Sequence, residues 1–399
     1  MLKKIDLNKT YQYLLIVLAF LMPLTVSGAN IIIVVICVIW LLSGSYRAKF
    51  NQIMSSKLII ASLLFYCLHV VGMLWTEDIQ WGLHILHKMW YFLLFLPILF
   101  NIVQRKYIRY YVISFLLAIA ITEIVSYMVW FEIVAPFKNA TVQNPTPFMS
   151  HISYNPILVL AIYLVAHEVF FNKKLSNLMF SIYVFFVISM TINMFITGGR
   201  AGHVGFFVML VILIFQVLDR QRIKSMVVIL LVIPGIFIVS YQTSELFKER
   251  VDLGVKEISE HSEKNWTSVG LRINFAINSW QVIKKNPLIG IGTGDFPSEY
   301  KKINKINTPG LPDTTNPHNM YTLVAINLGA IGIISMLSIF YYQIKLSFNS
   351  SNKFIRDVGI TLPLLFLVIM WSDSYLLGHY TTLMFVFFSS FLYKDFEKF

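Results

Sequence analysis

Asn316-Pro317-His318-Asn319 stands where a long polar segment meets the apolar run Met320 to Tyr342. Asn is a favoured helix N-cap and Pro suits the first helical position. The order therefore predicts a helix entered at Asn316, with His318 in its first turn near the water boundary of a membrane. The partial positive charge of a helix N-terminus disfavours imidazolium. A neutral imidazole accepts a proton, so His318 is a candidate general base. The alternative is a polar residue at a helix mouth that hydrogen-bonds a loop, and one histidine does not decide between the two.

Thr197-Gly198-Gly199-Arg200-Ala201-Gly202 predicts a very tight turn between two apolar runs. Its glycines let backbone N–H groups converge and leave room for a ligand. A cation beside such amides suits an anion, phosphate above all. Arg200 equally fits a side chain that snorkels to anchor a helix end. Arg272, in a segment with other basic residues, reads on its own as surface. Gly290-Ile291-Gly292-Thr293-Gly294 has the look of a dinucleotide fingerprint, but no strand precedes it. A bend that lets the chain pack closely is the better reading. Two acids fall in or between apolar runs, Glu123 and Asp373; either serves function or pairs with a polar neighbour. The absence of an Asp-x-Asp pair or a His/Cys/carboxylate cluster on the outer side predicts no metal site and leaves charge stabilisation to cationic side chains. Trp75, Trp81, Trp266, Trp280 and Tyr300 could stack on sugars or belong to interfacial belts.

The elements that must hold these residues are helices in a membrane. Of 399 residues 57% are hydrophobic and only 13% charged, about half the charge of an ordinary soluble chain. Apolar runs of spanning length recur throughout and do not alternate, which predicts an all-α polytopic membrane protein. We read about twelve spans, beginning near Tyr11, Asn30, Leu58, Met89, Tyr107, Ser153, Leu178, His203, Met226, Met320, Val358 and Tyr375. Lys3, Lys4 and Lys9 before the first run resemble a secretory signal, but Asn30 to Leu42 follows at once and predicts a retained hairpin. Cys37 and Cys67 lie inside apolar runs, offer no disulfide framework and read as buried small residues.

The net charge of +12 does not signal nucleic acid. Alternate connections hold nineteen of the 32 basic residues, among them Lys3, Lys4, Arg220 and Lys398, and the opposite short loops hold only Lys88, Lys138 and Arg200. Basic short loops stay in the cytoplasm. Both termini are then cytoplasmic and the long segment from Gln242 to Pro317 faces outward. This gives three parts: 1–241 with nine membrane helices, 242–317 as a helical outer loop, and 318–399 with three more helices. Within the loop, Thr243-Ser244-Glu245 predicts a helix start, and Val269 to Lys285 a second helix with Leu271, Phe275, Asn278 and Val282 on one face. The proline-rich stretch Pro136 to Ile152 predicts irregular chain.

Taken together, these segments resemble the O-antigen ligase and polymerase family of bacterial envelope proteins. The likeness rests on Thr197 to Gly202; on Ser268-Val269-Gly270-Leu271-Arg272 with Trp280 and Asn286-Pro287-Leu288-Ile289-Gly290-Ile291-Gly292; and on Asn316 to Asn319 with Leu328-Gly329 and Ile331-Gly332 downstream. It runs from about residue 190 to 335, and the first third matches only in hydropathy. What the resemblance implies is a metal-independent glycan transferase of the GT-C class in the inner membrane, without cofactor. The donor would be a saccharide chain on undecaprenyl diphosphate. For a ligase, the acceptor would be the lipid A–core sugar. Arg200 and Arg272 would hold the diphosphate, His318 would take the acceptor proton, and Gly199, Asn319 and Trp280 would line the substrates. Within the family the alternative is an O-antigen polymerase, to which the short 136–152 loop gives no support. From other classes come a lipid-linked sugar flippase or transporter, for which repeated halves and midplane charges are missing, and a non-catalytic scaffold.

Overall fold

A computed structural model describes residues 6–138, 140–219, 221–259 and 266–396. Lys3, Lys4, Arg220 and Lys398, counted above among the orienting charges, lie outside these residues. Among the described residues the chain is helical, with one isolated bridge between Thr141 and Asn144. The helices are α1 (Leu7–Leu21), α2 (Val26–Leu42), α3 (Tyr46–Met54), α4 (Lys57–Gly72), α5 (Ile79–Trp90), α6 (Leu96–Ile102), α7 (Ile108–Trp130), α8 (His151–Phe171), α9 (Asn177–Phe195), α10 (Arg200–Val217), α11 (Arg222–Thr243), α12 (Glu245–Ser259), α13 (Ser268–Lys285), α14 (Phe296–Asn307), α15 (Met320–Phe348), α16 (Lys353–Ile369) and α17 (His379–Leu392).

Each of the twelve expected runs falls on a helix. Among the described residues eight stretches are long and apolar enough to cross a membrane, or nine if α2 and α3, bent by 117° to one another, form one broken span. The remaining runs are short: α1 and α17 are apolar helices of 15 and 14 residues, and α16 has 17. One span starts ten residues earlier than expected, at Ile79 rather than Met89. His84, His87 and Lys88 hide its first turns, and a π-helical turn over Tyr91–Phe95 joins α5 to α6. The bundle is layered by burial. In α8, 78% of the apolar window is enclosed, against 11% in α11, so α8 is central and α11 faces outward. Cys37 and Cys67 are free, and neither is fully buried: Cys37 is half-buried on α2 and Cys67 is exposed on α4. Glu123 has found a polar partner: Ser189 on α9 donates to its carboxylate.

The glycine-rich bend after α13 has a structural task. α15 breaks at Gly329, whose φ of +61° and ψ of −153° are open to glycine. The break frees backbone groups that would otherwise pair inside the helix, and the bend takes them up. Ile291 N–H donates to the Ile326 carbonyl at 2.9 Å and Gly292 N–H to the Asn327 carbonyl at 3.1 Å. In return Ala330 N–H donates to the Pro287 carbonyl at 2.9 Å and Ile331 N–H to the Leu288 carbonyl at 3.2 Å. A buried unpaired amide is costly, and this exchange leaves none of the four orphaned. The reading of 290–294 as close packing holds.

The polar segment before α15 supplies α12, α13 and α14. The first two were expected; Ser244 caps α12, accepting from Phe247 N–H at 3.2 Å. α14 was not, because half of its twelve residues are Lys, Asn or Ser. Its signal is the spacing of Phe296, Tyr300 and Asn304, which alone are buried along it. Phe275 and Val282 of α13 meet Phe296 and Tyr300 of α14 and Leu323 and Ile326 of α15 in a small core of their own. That core seats α13 on the entrance of α15.

Candidate active site

Asn316 does not open the membrane helix. α15 starts at Met320, and Asn319 is its N-cap, accepting from Thr322 N–H at 3.0 Å. His318 therefore precedes the cap instead of lying in the first turn, and its φ of +51° is left-handed. The reason is competition for Asn316. Its side-chain oxygen accepts from His318 N–H at 3.0 Å and from Ser374 Oγ at 2.8 Å, while its Nδ2 donates to Asp373 Oδ1 at 2.9 Å. With Asn316 bound to the 372–374 turn, capping passes to Asn319.

The imidazole is placed by a carboxylate rather than by the helix dipole. His318 Nδ1 lies 3.3 Å from Asp373 Oδ2. The ring lies nearly parallel to Phe275 of α13, centroids 6.0 Å apart at 21°. A proton shared on the Nδ1 side leaves Nε2 as the acceptor. Burial pushes the Asp373 carboxyl up, but the hydrogen bond and charge of His318, with the Ser374 N–H and the Asn316 amide, outweigh it. The carboxyl is held below its ordinary value and stays a carboxylate at neutral pH. Asp373 follows α16 in the chain, and its reach to His318 is invisible in one dimension.

Arg200 is the first residue of α10, behind an N-cap at Gly199 that offers no side-chain hydrogen bond. Arg272 comes from α13, one turn before Phe275, so one face of α13 delivers both the guanidinium and the ring that flanks His318. Arg200, Arg272 and Asp373 line one cavity of about 90 Å³, with His151, Tyr375 and a third guanidinium, Arg250 of α12. Two larger cavities, of about 680 and 700 Å³, include none of these residues. Glu257 offsets part of the positive charge, its Oε2 standing 3.5 Å from Arg200 Nη1. Arg250 was missed because ten basic residues share its segment. Its signal is position on α12, one turn after Phe247, which is buried.

Three other expected site residues fare differently. Gly199 lines the cavity, but its chief constraint is packing: a Cβ there would stand 2.6 Å from Asn155 Nδ2 and 2.7 Å from the His151 carbonyl oxygen. Gly202 is likewise pressed against Asn155, so α10 crosses α8 at close range. Asn319 spends its side chain on the cap and on the Trp371 carbonyl, to which its Nδ2 donates at 3.2 Å. Trp280 is exposed on α13 and does not line the cavity; Lys284 Nζ stands 6.0 Å from its ring.

His318 itself does not line this cavity and reaches it only through Asp373. A polytopic helical membrane protein whose cationic side chains share one cavity with the carboxylate that holds a histidine is the class these features define. Residues 185–337 match the family described as O-antigen ligase. An uncharacterized protein of Haemophilus influenzae is 25% identical over 362 residues, covering 85% of this chain and 86% of its own. The family match spans Arg200, Arg272 and His318, and with the helical fold it supports assigning the chain to the O-antigen ligase/polymerase family.

Proposed function

We propose that the protein transfers an O-antigen glycan from undecaprenyl diphosphate to the lipid A–core sugar, at the periplasmic face of the inner membrane, with both termini in the cytoplasm. The observation that carries this reading is the shared cavity: Asp373, which holds His318, lines it together with Arg200 and Arg272. A sugar hydroxyl is a poor nucleophile. His318 Nε2 takes its proton as the oxygen attacks the anomeric carbon, and Asp373 steadies the imidazolium that forms. The bond from that carbon to the diphosphate oxygen breaks, and its electron pair leaves on the diphosphate. Arg200 and Arg272 meet the growing negative charge without a metal ion. Attack opposite the leaving group inverts the anomeric centre. A product with retained configuration counts against direct displacement, and a requirement for metal after exhaustive chelation counts against the guanidinium role.

Deletion followed by envelope glycolipid analysis tests the reading. The expected result is lipid A without polymer while long chains persist on the carrier lipid. Single repeat units on lipid A would identify a polymerase instead.

A further inference from the structure

We propose that Arg250 is a third phosphate-binding guanidinium of the same cavity, so that the site takes a lipid diphosphate in preference to a monophosphate. The proposal rests on the transferase reading and names a residue that reading does not use. Its first support is an unmet valence. Arg250 Nε and Arg200 Nε are each buried and without a hydrogen-bond partner among the described residues. Buried donors are normally satisfied, and an exception marks strain or a missing partner. Both side chains line one cavity, and a ligand seated there would meet two guanidiniums whose hydrogen-bonding capacity is not spent on the described residues.

The second support is charge. Arg200 has Glu257 beside it at 3.5 Å. Asp373 is engaged by His318, Asn316 and the Ser374 amide. No carboxylate pairs with Arg250 or Arg272 among the described residues. Among the described residues, two of the cavity's guanidiniums thus have no carboxylate partner, and a third is only partly neutralised. One phosphoryl group uses one or two forks; a diphosphate has oxygens for three.

The third support is the backbone beneath. Arg250 packs over the turn before α10: a Cβ at Gly198 would lie 3.4 Å from Arg250 Nη2 and 3.6 Å from its Nε. α10 begins there with no side chain capping its first amides, which adds donors and a partial positive charge at the same spot. Gly198 itself is anchored, its N–H donating to Asn144 Oδ1 at 3.0 Å. The turn is held in place while its cationic rim stays unspent.

The experiment is equilibrium binding of undecaprenyl diphosphate and undecaprenyl phosphate to purified full-length protein in nanodiscs. The proteins compared are wild type, Arg250→Ala, Arg250→Lys, Arg272→Ala and His318→Ala. Arg250→Ala is expected to weaken diphosphate binding roughly tenfold or more, to weaken monophosphate binding less, and to leave the melting temperature unchanged. His318→Ala is expected to bind both lipids normally. Diphosphate affinity in Arg250→Ala equal to wild type, with Arg272→Ala impaired, overturns the proposal and leaves the transferase reading standing. Wild type that binds neither lipid overturns both. If the alanine variant does not fold, Arg250→Lys decides: it keeps the charge and loses the fork, and wild-type preference for the diphosphate there defeats the proposal.

Discussion

Two glycine-rich turns, 197–202 and 290–294, share a composition and have opposite fates. The second is consumed by its own chain. Ile291 and Gly292 amides pair with the broken turn of α15, Thr293 Oγ1 donates to the His69 carbonyl at 2.7 Å, and the Asp295 carboxylate accepts from Glu77 and Asp78 amides at 2.9 and 2.8 Å. The first turn is fixed on one side only. Thr197 Oγ1 donates to Asn155 Oδ1 at 2.8 Å and Gly198 to Asn144, but no side chain caps the start of α10, and among the described residues the Arg200 Nε has no hydrogen-bond partner. Glycine signals close approach in both. What separates the two turns is how far their donors are already spent on the chain itself.

Five substitutions break or sharpen that contrast. If the chemistry lies on the side of the first turn, His318→Ala lowers glycan transfer about 10²–10⁴-fold, the usual weight of a general base. Membrane insertion and melting should be unchanged, and normal glycan attachment in that variant removes His318 from the mechanism. Gly290→Ala acts on the packing turn and does the reverse. With φ at +71° and the Asn327 backbone in the path of a Cβ, it costs about 3 kcal/mol of stability, read as a lower melting temperature; unaltered melting would show the bend to be dispensable. Arg200→Lys keeps charge but loses the planar fork, and transfer falls about 10²-fold with folding intact, as kinetics on purified protein will show. Gly199→Ala is intermediate, because Asn155 Nδ2 at the far end of a side chain can yield but the His151 carbonyl cannot. It costs about 1–2 kcal/mol, and a larger loss of activity than of stability would move Gly199 from packing to ligand contact. Gly310→Ala meets nothing within 4 Å and stays within about 0.5 kcal/mol.

The helices were legible because a spanning run carries its own signal, and amphipathic α13 declared its buried face through Phe275, Asn278 and Val282. The cap of α15 lies three residues beyond the expected one, at Asn319 rather than Asn316. Local capping chemistry suits both Asn316 and Asn319, and the turn at Asp373, 57 residues away from Asn316, selects between them. Arg250 stayed hidden for a related reason. Among many cations its spacing from Phe247 is a faint local mark, and packing against the 197–202 turn is what singles it out.

Sequence alone determined the helical membrane fold and the long polar segment, because hydropathy period is a local quantity; Arg200, Arg272 and His318 stood out only through the resemblance to the O-antigen ligase and polymerase family. Tertiary structure alone decided that Asp373 holds the imidazole, that a third arginine joins the cavity, and which glycine turn keeps its donors free. Those outcomes depend on which distant groups satisfy a buried donor or charge, and that is settled only when α8, α10, α12, α13 and the Asp373 turn are packed together.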